Sequence, residues 1–318
     1  MTRQQLVSAI RSMGSYLSVG LDTDPNKIPR HLGSGADAVF EFNRRIIDAT
    51  KDHCVAYKIN TAFYESGGSK GWEAMERTVN YIPATHFRIA DAKRGDIGNT
   101  STQYARAFFE AMPFDAITVA PYMGWDSVRP FLEYKDKWTI VLALTSNPGS
   151  EDFELKKLDL GEGLESEDMD KEIRKAGEKK GVRGFEGAGR LTAAEKWAEG
   201  LRWTATVQGK EEYLYERVLR TAADWGTPDN LMFVIGATQV DAFERVRRLM
   251  PDHFFLVPGV GAQGGSLEEI SKKAMNKEVG LLVNASRAVI YASGGEDFAE
   301  AAGRVAAGYQ REMQQYIS

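Results

Sequence analysis

Asp91-Ala92-Lys93-Arg94-Gly95-Asp96 places two carboxylates and an ammonium group in one short run at the end of an apolar stretch. Asp91 and Lys93 are two apart in a predicted strand, so their side chains share a face and point together into whatever lies beyond its end. Asp96 follows in the loop. In a partly dry pocket such groups titrate together, the ammonium holding the carboxylates ionised, and the array is costly unless it does something. A lone Asp-x-Lys is ordinarily an ion pair on a strand end with a solvated aspartate beside it.

A second cluster, Val257-Pro258-Gly259-Val260-Gly261-Ala262-Gln263-Gly264-Gly265, has the composition of a loop whose backbone amides can approach an anion, and Asn284-Ala285-Ser286-Arg287 follows the next apolar run. Arginine offers a planar fork of donors that a phosphate can accept in pairs. Two further strand ends carry polar groups. Asp22 precedes Thr23-Asp24-Pro25, a sequence that also suits a turn or cap, and Ser146 opens Ser146-Asn147-Pro148-Gly149, which suits a plain turn.

Eight short runs rich in Val, Ile, Leu and aromatics predict strands over 16–22, 55–60, 87–93, 116–121, 139–145, 231–238, 254–260 and 281–287. They are continuous rather than alternating, as strands buried on both faces are. Amphipathic stretches separate them, for example Val39, Phe42, Ile46 and Ile47 after Ser34, and the stretch 298–316. The expected fold class is α/β, a (β/α)8 TIM barrel with its active site where the strands end; an open doubly wound sheet is the lesser possibility. The loops after strands seven and eight of such a barrel commonly bind phosphate, which is where the glycine-rich segment and Arg287 fall. The chain is expected to be a single barrel domain over 1–318, interrupted after strand five by a charged, Gly-rich insertion at about 151–206. That insertion is acidic first (Glu162, Glu165, Glu167, Asp168, Asp170) and then basic (Lys175, Lys179, Lys180, Arg183), which suits a solvated excursion; a lid or an oligomer contact is the alternative.

The bulk properties exclude several classes. With 318 residues, 27% charged residues and a formal net charge of -5, nothing points to nucleic acid or an anionic membrane surface. The single cysteine, Cys54, rules out an internal disulfide. The four histidines are scattered without the spacing of a zinc site, so no metal is expected. No apolar run spans a bilayer and no signal peptide is read, so the expected location is cytoplasmic.

Asp91-x-Lys93-x-x-Asp96-Ile97 with Thr100 resembles the signature of the orotidine 5′-phosphate decarboxylases, and Lys58 in Ala56-Tyr57-Lys58-Ile59-Asn60 matches the lysine that completes that family's tetrad. The resemblance runs from Ser18 to Tyr291 and leaves out the insertion. It implies conversion of orotidine 5′-phosphate to uridine monophosphate with no metal and no cofactor. Lys58, Asp91, Lys93 and Asp96 would form the catalytic set, with Asp22 on the ribose hydroxyls and Ser146 on the base. Pro258, Gln263, Gly265, Ser286 and Arg287 would surround the phosphate, and Thr100 and Asp96 would complete the neighbouring subunit's site in a homodimer. The chain departs from the family at Ser286, where many members have glycine, and at Ala120 in Ala120-Pro121-Tyr122-Met123-Gly124-Trp125; Tyr122 and Trp125 are read as packing groups.

The implied chemistry suits these residue types. Loss of carbon dioxide from C6 of the pyrimidine leaves a carbanion that the ring π-system cannot accept, and a fixed ammonium at Lys93 can stabilise it and then protonate it. Asp91 would crowd the substrate carboxylate, or orient Lys93. Two alternatives stand beside this reading. One is a magnesium-dependent sugar-phosphate decarboxylase or aldolase sharing the Asp-x-Lys-x-x-Asp core, for which Lys58 is an unwelcome neighbour to a metal. The other is a non-catalytic barrel that binds a phosphate ligand.

Overall fold

The structure, a computed structural model, describes residues 1–159, 211–261 and 264–317. Among the described residues ten strands follow in chain order: β1 (Leu17–Gly20), β2 (Ala56–Asn60), β3 (Phe87–Arg94), β4 (Ala116–Val119), β5 (Trp138–Leu144), β6 (Lys157–Asp159), β7 (Glu211–Tyr213), β8 (Leu231–Ile235), β9 (Phe254–Pro258) and β10 (Leu281–Ala285). The chain divides into two compact units, Met1–Ser150 with Val218–Ser318, and Glu151–Arg217.

In the first unit all eight expected strands are present and close in the order β1-β10-β9-β8-β5-β4-β3-β2, every pair parallel. The fold is a (β/α)8 barrel. Its strands are almost wholly buried because helices cover them outside and side chains fill them inside, which is why they read as unbroken apolar runs. At the N-terminal ends of the strands the interior is stopped by aromatics: Trp138 meets Phe87 and Phe254 edge to face, with ring centroids 6.1 and 6.2 Å apart.

The amphipathic stretch after Ser34 forms the helix Gly35–Thr50, which buries Val39, Phe42, Ile46 and Ile47. It packs on the helix Phe298–Gln314, where Phe42 stacks on Phe298 at 4.9 Å. Gly303 permits the close approach: a Cβ there would lie 2.8 Å from the Ala49 carbonyl oxygen. Among the described residues no helix is long and apolar enough to cross a membrane.

Six of the eight predicted strands overrun the observed ones at their C-terminal ends. Asp22, Pro121, Thr145, Thr238, Val260 and Arg287 all lie past the last ladder residue. The apolar run does not stop there, but the backbone turns away; Gly259 takes φ 97°, and Ala237 N–H bonds the Pro258 carbonyl at 2.9 Å.

In the second unit β6 and β7 pair antiparallel, Lys157 opposite Tyr213, and Tyr213 stacks on Tyr215. The insertion expected over 151–206 lies outside the described residues from 160 onward.

Candidate active site

The C-terminal ends of the first three strands assemble a row of alternating charge. Lys58, on β2 with its side chain only 4% exposed, places Nζ 2.9 Å from Asp91 Oδ2 and 3.2 Å from Asp22 Oδ1. Lys93 Nζ lies 2.6 Å from the other oxygen of Asp91. The order Asp22, Lys58, Asp91, Lys93 gives each inner group two opposite charges. Burial works against the charge on Lys58, yet Asp22 and Asp91 outweigh it and raise its pKa above the ordinary ammonium value. Burial likewise opposes ionisation of Asp91, but Lys58 and Lys93 hold its carboxyl well below the usual carboxylate range. At neutral pH, therefore, Asp91 is an anion and Lys58 a cation.

The convergence of Asp91 and Lys93 does not come from plain strand alternation. Pairing of β3 with β4 runs Ile89 to Ala116 and Ala90 to Ile117, then jumps to Arg94 opposite Val119, so β3 bulges through Asp91, Ala92 and Lys93. Lys93 sits at φ 45°, in the left-handed region that side chains rarely occupy. The bulge turns Lys93 out to the mouth, where its side chain is 49% exposed. Thr118 on β4 meets the bulge: its hydroxyl accepts Lys93 N–H at 2.9 Å and donates to Asp91 Oδ1 at 3.0 Å.

The loop carrying Asp22 is pinned by two tyrosines. Tyr64 donates to the Leu21 carbonyl at 2.9 Å; Tyr291 donates to the Asp22 carbonyl and accepts Asp24 N–H. The turn-capping role falls to Asp24, whose side chain accepts Asn26 N–H at 2.9 Å, and this leaves the Asp22 carboxylate to Lys58.

Ser146 follows β5. Its hydroxyl is buried with no hydrogen-bond partner among the described residues, and Gly236 makes the room for it, since a Cβ at 236 would collide with Ser146 Oγ and N. An orphaned buried hydroxyl of this kind calls for a ligand or a water. Pro258 ends β9. Beyond it Gly259, Gly261 and Gly264 take φ of 97°, 75° and 87°, and Gly265 bridges back to Val260, closing a tight glycine loop. Gln263 lies outside the described residues. Ser286, after β10, donates to the Gly20 carbonyl at 3.1 Å, so its hydroxyl is engaged by the neighbouring strand. Arg287 opens the short helix Arg287–Ile290, exposed, and no described residue pairs with its guanidinium.

Asp96 and Thr100 stand apart from this row. The Asp96 carboxylate accepts Ile97 N–H at 2.8 Å, no described ion pair joins it to Lys58 or Lys93, and Thr100 is exposed in the first turn of the helix Gly98–Phe109. Tyr122, expected to pack, is 92% exposed, and Trp125 is on the surface as well, with Arg129 against its ring. The sequence reading missed Thr118, Tyr64, Tyr291 and Gly236. Thr118 alone left a trace, as the polar residue in the buried run Ala116-Ile117-Thr118-Val119. Among the described residues no group of three His, Cys, Asp or Glu could hold a metal ion.

A closed parallel barrel, a charged row at its C-terminal mouth and a glycine loop after its seventh strand together define a (β/α)8 protein built to handle a small phosphorylated ligand. Residues 15–214 match the profile of the Orotidine 5'-phosphate decarboxylase / HUMPS family, and the chain belongs to that family. It is 48% identical to the orotidine 5'-phosphate decarboxylase of Phocaeicola vulgatus over 320 residues, covering 100% of this chain and 99% of that protein. The orotidine 5'-phosphate decarboxylase of Flavobacterium johnsoniae is 47% identical, with coverage of 100% and 98%. Among solved structures, that of Leishmania donovani OMP decarboxylase is similar with a TM-score of 0.69, at 30% identity and covering 99% of each chain.

Proposed function

We propose that this chain is a carboxy-lyase that converts orotidine 5′-phosphate to uridine 5′-monophosphate, the last step of de novo pyrimidine nucleotide synthesis, without metal or organic cofactor. The observation that carries the reading is the row Asp22, Lys58, Asp91, Lys93, with its two ammonium groups and two carboxylates interleaved at the barrel mouth. Full-length relatives named for this activity support the same substrate.

In the proposed reaction Arg287, Gln263, Pro258, Gly265 and Ser286 surround the phosphate, Asp22 meets the ribose hydroxyls, and Ser146 the base edge. The C6–carboxylate bond breaks, carbon dioxide leaves, and the electron pair stays on C6. Lys93 stabilises that charge and transfers a proton from Nζ to C6, then regains one from water. Asp91, which shares its carboxylate between both lysines, holds Lys93 in place and sets negative charge beside the departing carboxylate. Lys58 supports a metal-free route, since a buried ammonium between the two carboxylates repels a divalent cation from the acidic groups it would need. We place the enzyme in the cytoplasm as a homodimer in which Asp96 and Thr100 complete the partner's site. Their separation from the charged row of their own chain supports that arrangement.

The test is the ultraviolet absorbance of orotidine 5′-phosphate incubated with purified protein and excess EDTA. Rapid conversion to uridine monophosphate is expected. No conversion, with activity on a sugar phosphate after magnesium is restored, would instead make this a member of the metal-dependent group.

A further inference from the structure

We infer that Thr118 is a positioning residue for the reaction: its buried hydroxyl ties the bulge that carries Lys93 to the carboxylate that holds the Lys93 ammonium. The inference rests on the decarboxylase reading above and adds to it a residue on a different strand from the charged row.

A parallel ladder satisfies each backbone N–H with a carbonyl of the next strand. Where β3 bulges, that supply fails, because the residues between Ala90 and Arg94 on β3 face only Thr118 between Ile117 and Val119 on β4. Lys93 N–H is met instead by the Thr118 hydroxyl at 2.9 Å. A hydroxyl has a single proton, so one that accepts from an amide must spend its own proton elsewhere; here it goes to Asp91 Oδ1 at 3.0 Å. The same oxygen receives Lys93 Nζ at 2.6 Å. A closed circuit results, from the Lys93 amide through Thr118 and Asp91 to the Lys93 ammonium.

The circuit fixes both ends of one side chain. Lys93 at φ 45° occupies a backbone conformation that persists only where its surroundings impose it. The Thr118 bond imposes it from the β4 side, and Arg94, donating to the Ala92 carbonyl at 2.9 Å, closes the other side of the bulge. Thr118 is 1% exposed, so water does not stand in for its hydroxyl. Its effect on the reaction passes through Asp91 and Lys93, the two residues its hydroxyl bonds.

Thr118→Val keeps the shape and removes the hydroxyl; Thr118→Ser keeps the hydroxyl. For Val, kcat on orotidine 5′-phosphate is expected to fall roughly 10- to 100-fold, the loss of a hydrogen bond to a charged group. KM and the affinity for uridine monophosphate should stay within about threefold, because Thr118 touches neither phosphate nor base elements. The acid limb of the kcat profile should move to higher pH, since Asp91 loses a donor that favours its anion. Ser should restore kcat to within a few-fold of wild type. Exchange of the Lys93 amide proton, followed by NMR, should be slow in wild type and Ser and fast in Val, whatever the substrate. A Val enzyme with kcat within twofold of wild type, a Ser enzyme as impaired as Val, or unchanged Lys93 exchange in Val would overturn the inference. Wild-type protein that leaves orotidine 5′-phosphate untouched while Lys93 exchange responds as described would instead defeat the decarboxylase reading and leave the Thr118 circuit standing.

Discussion

Replacing Lys58 by methionine keeps the length and most of the volume of the side chain and removes its charge. In the wild type that ammonium is nearly inaccessible and contacts both Asp22 and Asp91, at 3.2 and 2.9 Å. Without it, the one cation left to Asp91 among the described residues is Lys93, which is half exposed and therefore screened by solvent; the Thr118 hydroxyl still donates to Asp91 but carries no charge, and the burial of Asp91 is unchanged. Removing one partner of a buried pair typically costs about 3–5 kcal/mol, so the variant should unfold at a markedly lower urea concentration at pH 7. The pH dependence is the sharper readout. Asp91 has a depressed pKa in the folded wild type, so it contributes stability that is present above its ordinary value and lost as pH falls through the folded one. Lys58 has a raised pKa, so its contribution is fully present below the ordinary ammonium value and is constant through the acid range. In the variant the Asp91 pKa rises, its anion becomes the destabilised form, and protonation relieves it. The deficit should therefore narrow as pH falls from 7 toward about 4. Urea titrations at fixed protomer concentration measure this directly. A deficit under about 1 kcal/mol at pH 7, or one that widens on acidification, would refute the reasoning.

Other consequences are open to test. Lys93→Ala should abolish turnover while circular dichroism and uridine monophosphate binding persist, since Lys93 is the outermost member of the row; a fully active variant would sink the proton-transfer scheme. Arg287→Ala removes an exposed cation with no described partner, so the fold should be unaffected and KM should rise by roughly tenfold or more with kcat retained at saturation, as initial-rate kinetics would show. Equimolar Lys93→Ala and Asp96→Ala proteins, each inactive alone, should regain part of the wild-type activity when their subunits are exchanged, because one mixed site then carries both residues. Persistent inactivity of a verified mixed dimer would count against a shared site.

Much of the architecture was legible because a strand buried on both faces has no polar alternation, and eight such runs leave few arrangements. Asp91, Lys93 and Lys58 were legible for a different reason: charged residues inside apolar runs need partners. What stayed hidden depends on backbone geometry. Alternation alone would place Asp91 and Lys93 on one face, yet they meet through a bulge at which Lys93 has left-handed φ, and no residue type at 91–93 announces it. The exposure of Tyr122 was equally invisible, since an aromatic beside Pro121 and Gly124 reads the same whether it packs inward or stands at the surface. Tyr64 and Tyr291 reach the Asp22 loop across long sequence separations, which local pattern cannot express.

The strand order has a consequence for how the molecule comes to exist. Two seams of the barrel join residues far apart in the chain, β1 to β10 (Leu17 with Val283) and β5 to β8 (Thr139 with Leu231), while every other neighbouring pair is consecutive. The barrel is thus an arc of five strands and an arc of three, each able to form from nearer contacts before the seams close, and non-local seams are the slow part of folding. Asp22, Lys58, Asp91, Lys93 and Ser146 ride on the first arc, Pro258, Gly265, Ser286 and Arg287 on the second. A nascent chain released from the ribosome with only its first arc formed would carry the whole charged row and none of the residues proposed to hold the phosphate. Competence to bind a nucleotide would then arrive abruptly, at the moment the second arc zips onto the first.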